Sequence, residues 1–323
     1  MDVLLLYSRV AQKHKRKRYF LVDQSGTSLS FIEKMFIRIR FISSPRLFSF
    51  KMLPQNFRAS VLVRTRGVES LFQELLRRLS RQTLQPSEIV VADNFSSKEN
   101  LEAMRNILSS AKKRLFNSQV SIKLVPIMDS EFSHPYSTNA GVCAAKGDFV
   151  CITNGHSLPL SDSWLEAGVL RFRDSGVAGV GGYTVSHKNG TIWEKVGYDW
   201  LWKKRNEVSK VHTKDDFFST INCILRRSLW EEYPFDERLP SEIQYSKKYG
   251  GEDFDWAMEM EARGYKIVVE PKFVVCHSHG ETFTQLTSKY VVWQKIRNEI
   301  RSFKRPRKSY TKLERVEPLY YDL

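Results

Sequence analysis

An α/β domain with a mostly parallel central sheet is the fold class that residues 57 to 285 predict. Two observations carry it: short β-branched runs recur, and amphipathic stretches of about 10 to 15 residues separate them. Ala59–Thr65 (ASVLVRT) is the first run, apolar enough for a strand buried on both faces. Val68, Leu71, Phe72, Leu75, Leu76 and Leu79 then recur at helical spacing, with Arg and Glu between them. Pro86 closes that connection, and Glu88–Asp93 is the second strand. Leu101, Met104, Ile107 and Leu108 mark the next amphipathic helix, Val120–Ile127 a third strand and Asp148–Thr153 a fourth. Further along, Gly264 stands where a helix C-cap belongs, and Lys266–Glu270 reads as another strand.

With 323 residues there is room for one large domain with appendages. No run of about 18 uncharged apolar residues occurs, so no membrane span is expected. The nearest candidate, Met35–Ile42, is broken by Arg38 and Arg40. Val3–Leu6 is too short for a secretory signal, and Asp2 precedes it where a cation belongs. The four cysteines form no C-x-x-C pair, which suits reduced thiols in the cytoplasm better than a disulfide frame.

The net charge of +15 implies an anionic partner: nucleic acid, anionic lipid or a diphosphate-bearing substrate. A solvated basic surface with no specific partner would carry the same charge. Much of it lies at the two ends. Between Arg9 and Lys51, 11 basic residues face only Asp2, Asp23 and Glu33. Residues 1–56 therefore read either as a basic appendage lying on a membrane surface, or as a segment without function ahead of a start at Met52. Residues 286–323 read as a basic C-terminal helix and tail.

A nicotinamide-binding domain would need G-x-G-x-x-G after the first strand. Thr65–Ser70 reads TRGVES instead. Other motifs are more telling. Val61–Arg66, then Ile89–Asn94 with Ser96, then Asn139–Asp148 (NAGVCAAKGD) and finally Gly250–Trp256 (GGEDFDW), preceded by Pro234–Glu237, follow one another in order. Taken together they resemble glycosyltransferase family 2 over most of the chain.

That resemblance implies a GT-A fold with a Rossmann-like nucleotide-binding half and an acceptor-binding half. It implies transfer of a single sugar, with inversion, from a nucleoside-diphosphate sugar to a glycan or lipid-linked glycan. Thr65 and Arg66 would flank the nucleotide, Asp93 would accept a hydrogen bond from the base, and Asn139 would lie near the sugar. From spacing alone, Asp93 could equally cap the next turn.

The family's fourth strand usually ends in Asp-x-Asp, whose last carboxylate helps hold a divalent cation. Here Asn154-Gly155-His156 stand in that place. Hard Mg²⁺ or Mn²⁺ prefers oxygen ligands. Either His156 keeps one coordination position for Mn²⁺ or a similar ion, or the site dispenses with metal and cationic side chains neutralise the diphosphate. By the same resemblance a His after the last strand is the remaining ligand. His277 and His279 alternate along an extended segment, so only one should reach the site; His279 is paired with His156.

Inversion needs a base to take the acceptor hydroxyl's proton while the nucleoside diphosphate leaves from the opposite face. Asp253 is the candidate, with Glu252 positioning the acceptor. Acidic residues at a helix start also complement its dipole, but the place of this pair after the earlier motifs favours catalysis. Trp193, Trp200 and Trp202 are acceptor-side candidates, since aromatic faces stack on sugar rings, although Trp equally fills cores.

On this reading the enzyme works in the cytoplasm, its basic surface against the anionic inner face of the cell membrane. Two other classes compete. A non-catalytic descendant of the fold, binding nucleotide or glycan, would not need Glu252 and Asp253. A basic nucleic-acid-binding protein would show a helix-turn-helix, zinc finger or RNP-type strand, and none is recognisable. No nucleic-acid partner is expected.

Overall fold

The computed structural model describes residues 57–95, 97–199, 210–211, 218–302 and 319–323. The N-terminal segment 1–56, Ser96, Trp200, Trp202 and the tail from 303 to 318 lie outside the described residues.

Ten strands form one sheet. In chain order they are β1 (Ala59–Thr65), β2 (Glu88–Phe95), β3 (Ser121–Met128), β4 (Phe149–Asn154), β5 (Leu158–Pro159), β6 (Val177–Val185), β7 (Lys210–Val211), β8 (Asn222–Arg226), β9 (Lys266–Cys276) and β10 (Tyr321–Asp322). The main path runs β10-β3-β2-β1-β4-β8-β6-β9-β5, with β7 beside β9. The four strands β3-β2-β1-β4 are mutually parallel, as the alternation predicts. The longer helices are α1 (Phe72–Ser80), α2 (Lys98–Leu115), α3 (His134–Ala144), α4 (Trp164–Val169), α5 (Arg227–Glu232), α6 (Glu252–Ala262) and α7 (Phe283–Ser302).

Helix α1 buries Phe72, Leu75, Leu76 and Leu79, the i, i+3, i+4, i+7 stripe legible in sequence. It starts at Phe72, later than the apolar spacing suggests. Gly67, at φ 68°, turns the chain away from β1 first, and Val68 is left exposed. Helix α3 has no exposed stripe because nearly every residue is buried. Its small residues let it lie against the sheet: a Cβ on Gly141 would fall 2.3 Å from Leu62 Cδ1.

Register determines what meets at the sheet's C-terminal edge. Thr65 pairs with Asp93, and Arg64 with Asn154, so four polar side chains collect where parallel sheets bind ligands. The opposite edge is closed by a buried clamp. Glu88 accepts from Ser60 Oγ at 2.6 Å, Lys123 Nζ at 2.7 Å and Gly147 N at 3.2 Å, and also from Lys146 N. Lys123 donates onward to the Ala144 carbonyl at 2.7 Å. Burial opposes ionisation of Glu88, but Lys123 and Ser60 hold its pKa below the usual carboxylate range.

Beyond β4 the sheet turns mixed. β8 runs antiparallel to β4 and β6, and β6 runs parallel to β9 with register shifts. Opposite the second shift, between Gly181 and Tyr183, β9 carries Pro271, which has no N–H for the ladder. The carbonyls of Tyr183 and Phe273 accept from the Asn222 amide at 3.0 and 2.9 Å, and Trp164 Nε1 donates to Asn222 Oδ1 at 3.0 Å. Gly182 makes this possible: a Cβ there would sit 2.0 Å from the Phe273 carbonyl oxygen and 2.2 Å from Asn222 Nδ2.

The C-terminal region is more closely integrated than its basic composition suggests. Ile296 and Ile300 of α7 pack with Leu239, Ile243 and Phe254, and Tyr321–Asp322 adds an edge strand to β3. Gly264 has φ 87° after α6, as its C-cap position requires. All four cysteines are free thiols. Among the described residues no helix is long and apolar enough to cross a membrane.

Replacing Gly182 by Ala places a methyl against the Phe273 carbonyl oxygen and the Asn222 side-chain amide. The substitution is expected to cost about 3 kcal/mol in urea unfolding. A loss below about 1 kcal/mol would mean that β6 and β9 separate freely at this point.

Candidate active site

A cleft of about 840 Å³ opens over the C-terminal edge of the sheet. Its floor is organised by Arg64, the one charged residue in β1. Nη1 donates to Thr138 Oγ1 of α3 at 3.0 Å, while Nη2 donates to Asn154 Oδ1 of β4 at 3.1 Å and to the Thr220 carbonyl at 3.3 Å. Glu252 Oε1 lies 3.7 Å from Nη1, which brings α6 to the same cation.

Gly250 and Gly251, at φ 75° and 123°, turn the chain sharply into α6 and deliver two consecutive carboxylates. Glu252 is 2% exposed, and its Oε2 has no protein partner. Burial and then the charge of Asp253 push its pKa up to about 7, against the pull of Arg64. Asp253 faces the cleft and is firmly oriented. Its Oδ2 accepts from Thr220 N at 3.0 Å and Thr220 Oγ1 at 3.4 Å, and its Oδ1 from Phe254 N at 2.8 Å.

On the donor side, Thr65 is buried, and its hydroxyl is 2.8 Å from both the Gly67 carbonyl and Glu69 Oε1. Arg66 reaches solvent over the cleft, 3.6 Å from Asp129. Asp93 lies fully buried beneath, its Oδ1 accepting from Gly67 N at 2.7 Å and its Oδ2 without a protein partner. Burial, with a contribution from Glu69, raises its pKa to about 6.

Also lining the cleft is a group of three imidazoles. The His156 and His277 rings stack at 4.5 Å, and His279 stands edge-on to them at 5.0 and 4.6 Å. His156 Nδ1 is hydrogen-bonded to Glu69, and its Nε2 is buried without a protein partner. Burial, and then the neighbouring imidazoles, hold His277 well below the usual histidine range. Burial and Lys289 lower His279 as well. Among the described residues these three present ligand atoms within 4.8 Å of one another. An orphaned ring nitrogen within a group of three imidazoles is a donor set that fits a divalent cation.

Both His277 and His279 reach this point, which corrects the expectation that only one does. The strand ends at Cys276, so the two-residue alternation no longer governs the segment. Glu194 fixes its path. Fully buried at the end of the short helical turn Ile192–Glu194, it accepts from the backbone N–H groups of His279, Gly280 and Glu281 at 2.8, 3.0 and 3.2 Å. Its other oxygen accepts from Thr191 N at 2.9 Å.

The cleft thus gathers Thr65, Arg66, Asn154, His156, Glu252, Asp253 and His279. Asn139 does not line it. Its Oδ1 accepts from Trp230 Nε1 and Phe235 N, and its Nδ2 donates to the Phe235 carbonyl and Glu237. Trp193 also lies off the cleft lining, 46% exposed, its ring 5.1 Å from that of Phe283. Motif reading missed Arg64, Glu69 and Thr220 as site residues. A lone arginine inside a buried apolar strand was the available signal for the first.

The sequence model of the family described as "Glycosyltransferase like family 2" matches residues 54–295. Over 229 residues the chain is 26% identical to the O-antigen chain rhamnosyltransferase WbaN of Salmonella anatum, covering 68% of this chain and 65% of that protein. It is 25% identical over 230 residues to the O-antigen chain rhamnosyltransferase RfbN of Salmonella typhimurium, covering 69% and 67%. The chain therefore spans just under two thirds of the first relative's length. A mannosyltransferase from Pyrobaculum calidifontis, PcManGT, solved with GDP-Man and Mn²⁺, superposes with a TM-score of 0.54 at 17% identity, over 85% of this chain and 73% of that one. The likeness is one of fold. With the family matched across three quarters of its sequence and this sheet beneath its cleft, the chain belongs to glycosyltransferase-like family 2 and carries the GT-A fold.

Proposed function

We propose that the chain transfers one sugar from a nucleoside-diphosphate sugar to a glycan or lipid-linked glycan, with inversion and with Asp253 as general base. The placement of Asp253 carries this reading. It lines the cleft at the first turn of α6, oriented by two backbone N–H groups. An acceptor hydroxyl beside it gives its proton to the carboxylate as its oxygen bonds to the anomeric carbon. The bond from that carbon to the diphosphate oxygen breaks on the opposite face, and its electron pair leaves with the nucleoside diphosphate. Glu252, one residue earlier, positions the acceptor.

The donor side comprises Thr65, Arg66, Asp93, Asn139, Asn154 and His156. Arg66 contributes direct contact, Thr65 and Asp93 shape the floor through the protein hydrogen bonds described above, and Asn139 acts from behind it by tying Trp230 and Phe235 to α3. A fixed cation such as Arg64 stabilises developing charge without having to reorganise at the moment of reaction. A divalent cation, held by His156 and His279, would supply further neutralisation of the leaving diphosphate.

The rhamnosyltransferase relatives support a hexose or deoxyhexose donor and an envelope-polysaccharide acceptor. Trp193, exposed beside Phe283, offers an acceptor a flat apolar face. The net charge of +15 supports contact with an anionic membrane surface, where lipid-linked acceptors reside.

A screen of UDP-, GDP-, dTDP- and CMP-sugars tests the reading. Asp253→Asn is expected to lower turnover by about 10²- to 10⁴-fold with little change in donor affinity. Turnover within about tenfold of wild type would remove Asp253 from the base role.

The buried Glu252 carboxyl also makes folding stability depend on pH. Its pKa is raised from 4.5 to about 7 in the folded state, so its stabilising contribution is complete below about pH 4.5 and is lost as pH rises through 7. Between pH 5 and 8 the wild type should therefore lose more stability than Glu252→Gln, by on the order of 3 kcal/mol. Parallel urea titrations at the two pH values check this. Equal losses would mean that Glu252 is already ionised at low pH.

A further inference from the structure

We infer that His156, His277 and His279 form a three-imidazole site for a late first-row divalent ion of the zinc or cobalt class, in preference to Mg²⁺. This rests on the transferase reading and deepens it by naming the ion class the site accepts.

Each ring is oriented by its surroundings. Glu69 occupies Nδ1 of His156, and Ser157 Oγ lies 2.9 Å from Nδ1 of His277. Both rings therefore keep Nε2 for another partner. A carboxylate or hydroxyl behind a ligating histidine fixes the ring and raises its basicity. His279 is placed by its backbone, which Glu194 holds through three successive N–H groups.

The distances suit one ion. The Nε2 atoms of His277 and His279 are 3.0 Å apart. Two imidazole nitrogens at about 2.1 Å from one metal in tetrahedral geometry are separated by about 3.4 Å, so an ion between this pair would part the two nitrogens by only a few tenths of an ångström. The widest separation in the group is 4.8 Å, so a bound ion draws His156 inwards. Its Nε2 is buried and has no protein hydrogen bond to give up.

A purely hydrogen-bonded cluster accounts for less. One N–H between His277 and His279 satisfies that pair, but the orphaned nitrogen of His156 is left bearing its full desolvation cost. An ion meets all three at once. Three protein ligands also leave positions open towards the cleft, where phosphate oxygens can complete the coordination.

Donor chemistry decides the class of ion. No carboxylate oxygen belongs to the group, because Glu69 is turned onto the far nitrogen of His156. Imidazole nitrogen suits zinc, cobalt and nickel, whereas Mg²⁺ demands oxygen and keeps its waters. The Asn154-Gly155-His156 sequence thus converts an oxygen site into a nitrogen site. Gly155 leaves room for the conversion, since a Cβ there would fall 2.6 Å from Thr65 Oγ1 and 2.8 Å from Glu69 Oε1.

Full-length protein stripped with chelator would be titrated with Co²⁺, Zn²⁺ and Mg²⁺ by calorimetry, and Co²⁺ followed by visible absorption, all without nucleotide. One Co²⁺ or Zn²⁺ per chain is expected, bound at least about 100-fold more tightly than Mg²⁺. The cobalt absorption should be lost in His279→Gln, an exposed position whose substitution leaves the core untouched. Glu69→Gln should retain one equivalent with about 10- to 100-fold weaker affinity. Mg²⁺ binding as tight as Co²⁺, or a cobalt spectrum unchanged in both His279→Gln and His156→Gln, would overturn the inference. Binding of UDP, GDP and dTDP to the same stripped protein separates the two readings. Nucleotide binding without Co²⁺ or Zn²⁺ binding sinks the metal site alone, whereas a histidine-dependent Co²⁺ site with no nucleotide binding upholds the metal site and sinks the transferase.

Discussion

A single half-buried cation sets the geometry on which this cleft depends. Arg64 reaches from β1 to α3, β4, the approach to β8 and α6, so its guanidinium joins segments distant in sequence. Glu252 could not be held 2% exposed beside Asp253 without a positive charge nearby. Removing one member of such a buried pair commonly costs about 3–5 kcal/mol, because the survivor is left uncompensated. The arrangement is worth more for position than for net stability. It fixes Glu252 and Asp253 relative to the strand that ends at Thr65.

The two ends of the parallel strands use charge differently. At the N-terminal edge, Glu88 and Lys123 are saturated by Ser60, the Ala144 carbonyl and the turn before β4, with no access to a ligand. At the C-terminal edge, Arg64 Nε, Asp93 Oδ2, His156 Nε2 and Glu252 Oε2 are buried atoms without protein partners. Unsatisfied buried groups are rare because each carries a desolvation cost. Four of the six such atoms among the described residues lie on this side of the sheet, where the cleft opens.

Much of this was legible in the chain. The strand β1 begins and ends at the residues its β-branched run indicates, and β2 to β4 differ from expectation only at their ends. Local pattern suffices there because parallel strands buried on both faces are apolar throughout. The GGED motif was legible too, since two glycines and two acids mark a helix start. Tertiary contacts decided the rest. Nothing near Asn139 in sequence announces Trp230 and Phe235, which claim its amide oxygen from about 90 residues away. The convergence of His277 with His279 depends on where β9 ends and on Glu194, neither of which alternation can reveal. The edge strand at Tyr321 was hidden in a tail whose charge suggested solvent.

Glu194 has a wider consequence. Its carboxylate joins the turn that carries Trp193 to the backbone of His279, so the exposed aromatic flank and the imidazole wall of the cleft are tied through one side chain. Whatever displaces one displaces the other. An acceptor that shifted this turn on docking would alter how firmly a donor at that wall is gripped, and by reciprocity the donor would alter the acceptor's hold by the same factor. If sugar transfer runs as proposed, the two substrates would not be independent visitors: each would report its presence to the other through a single buried side chain.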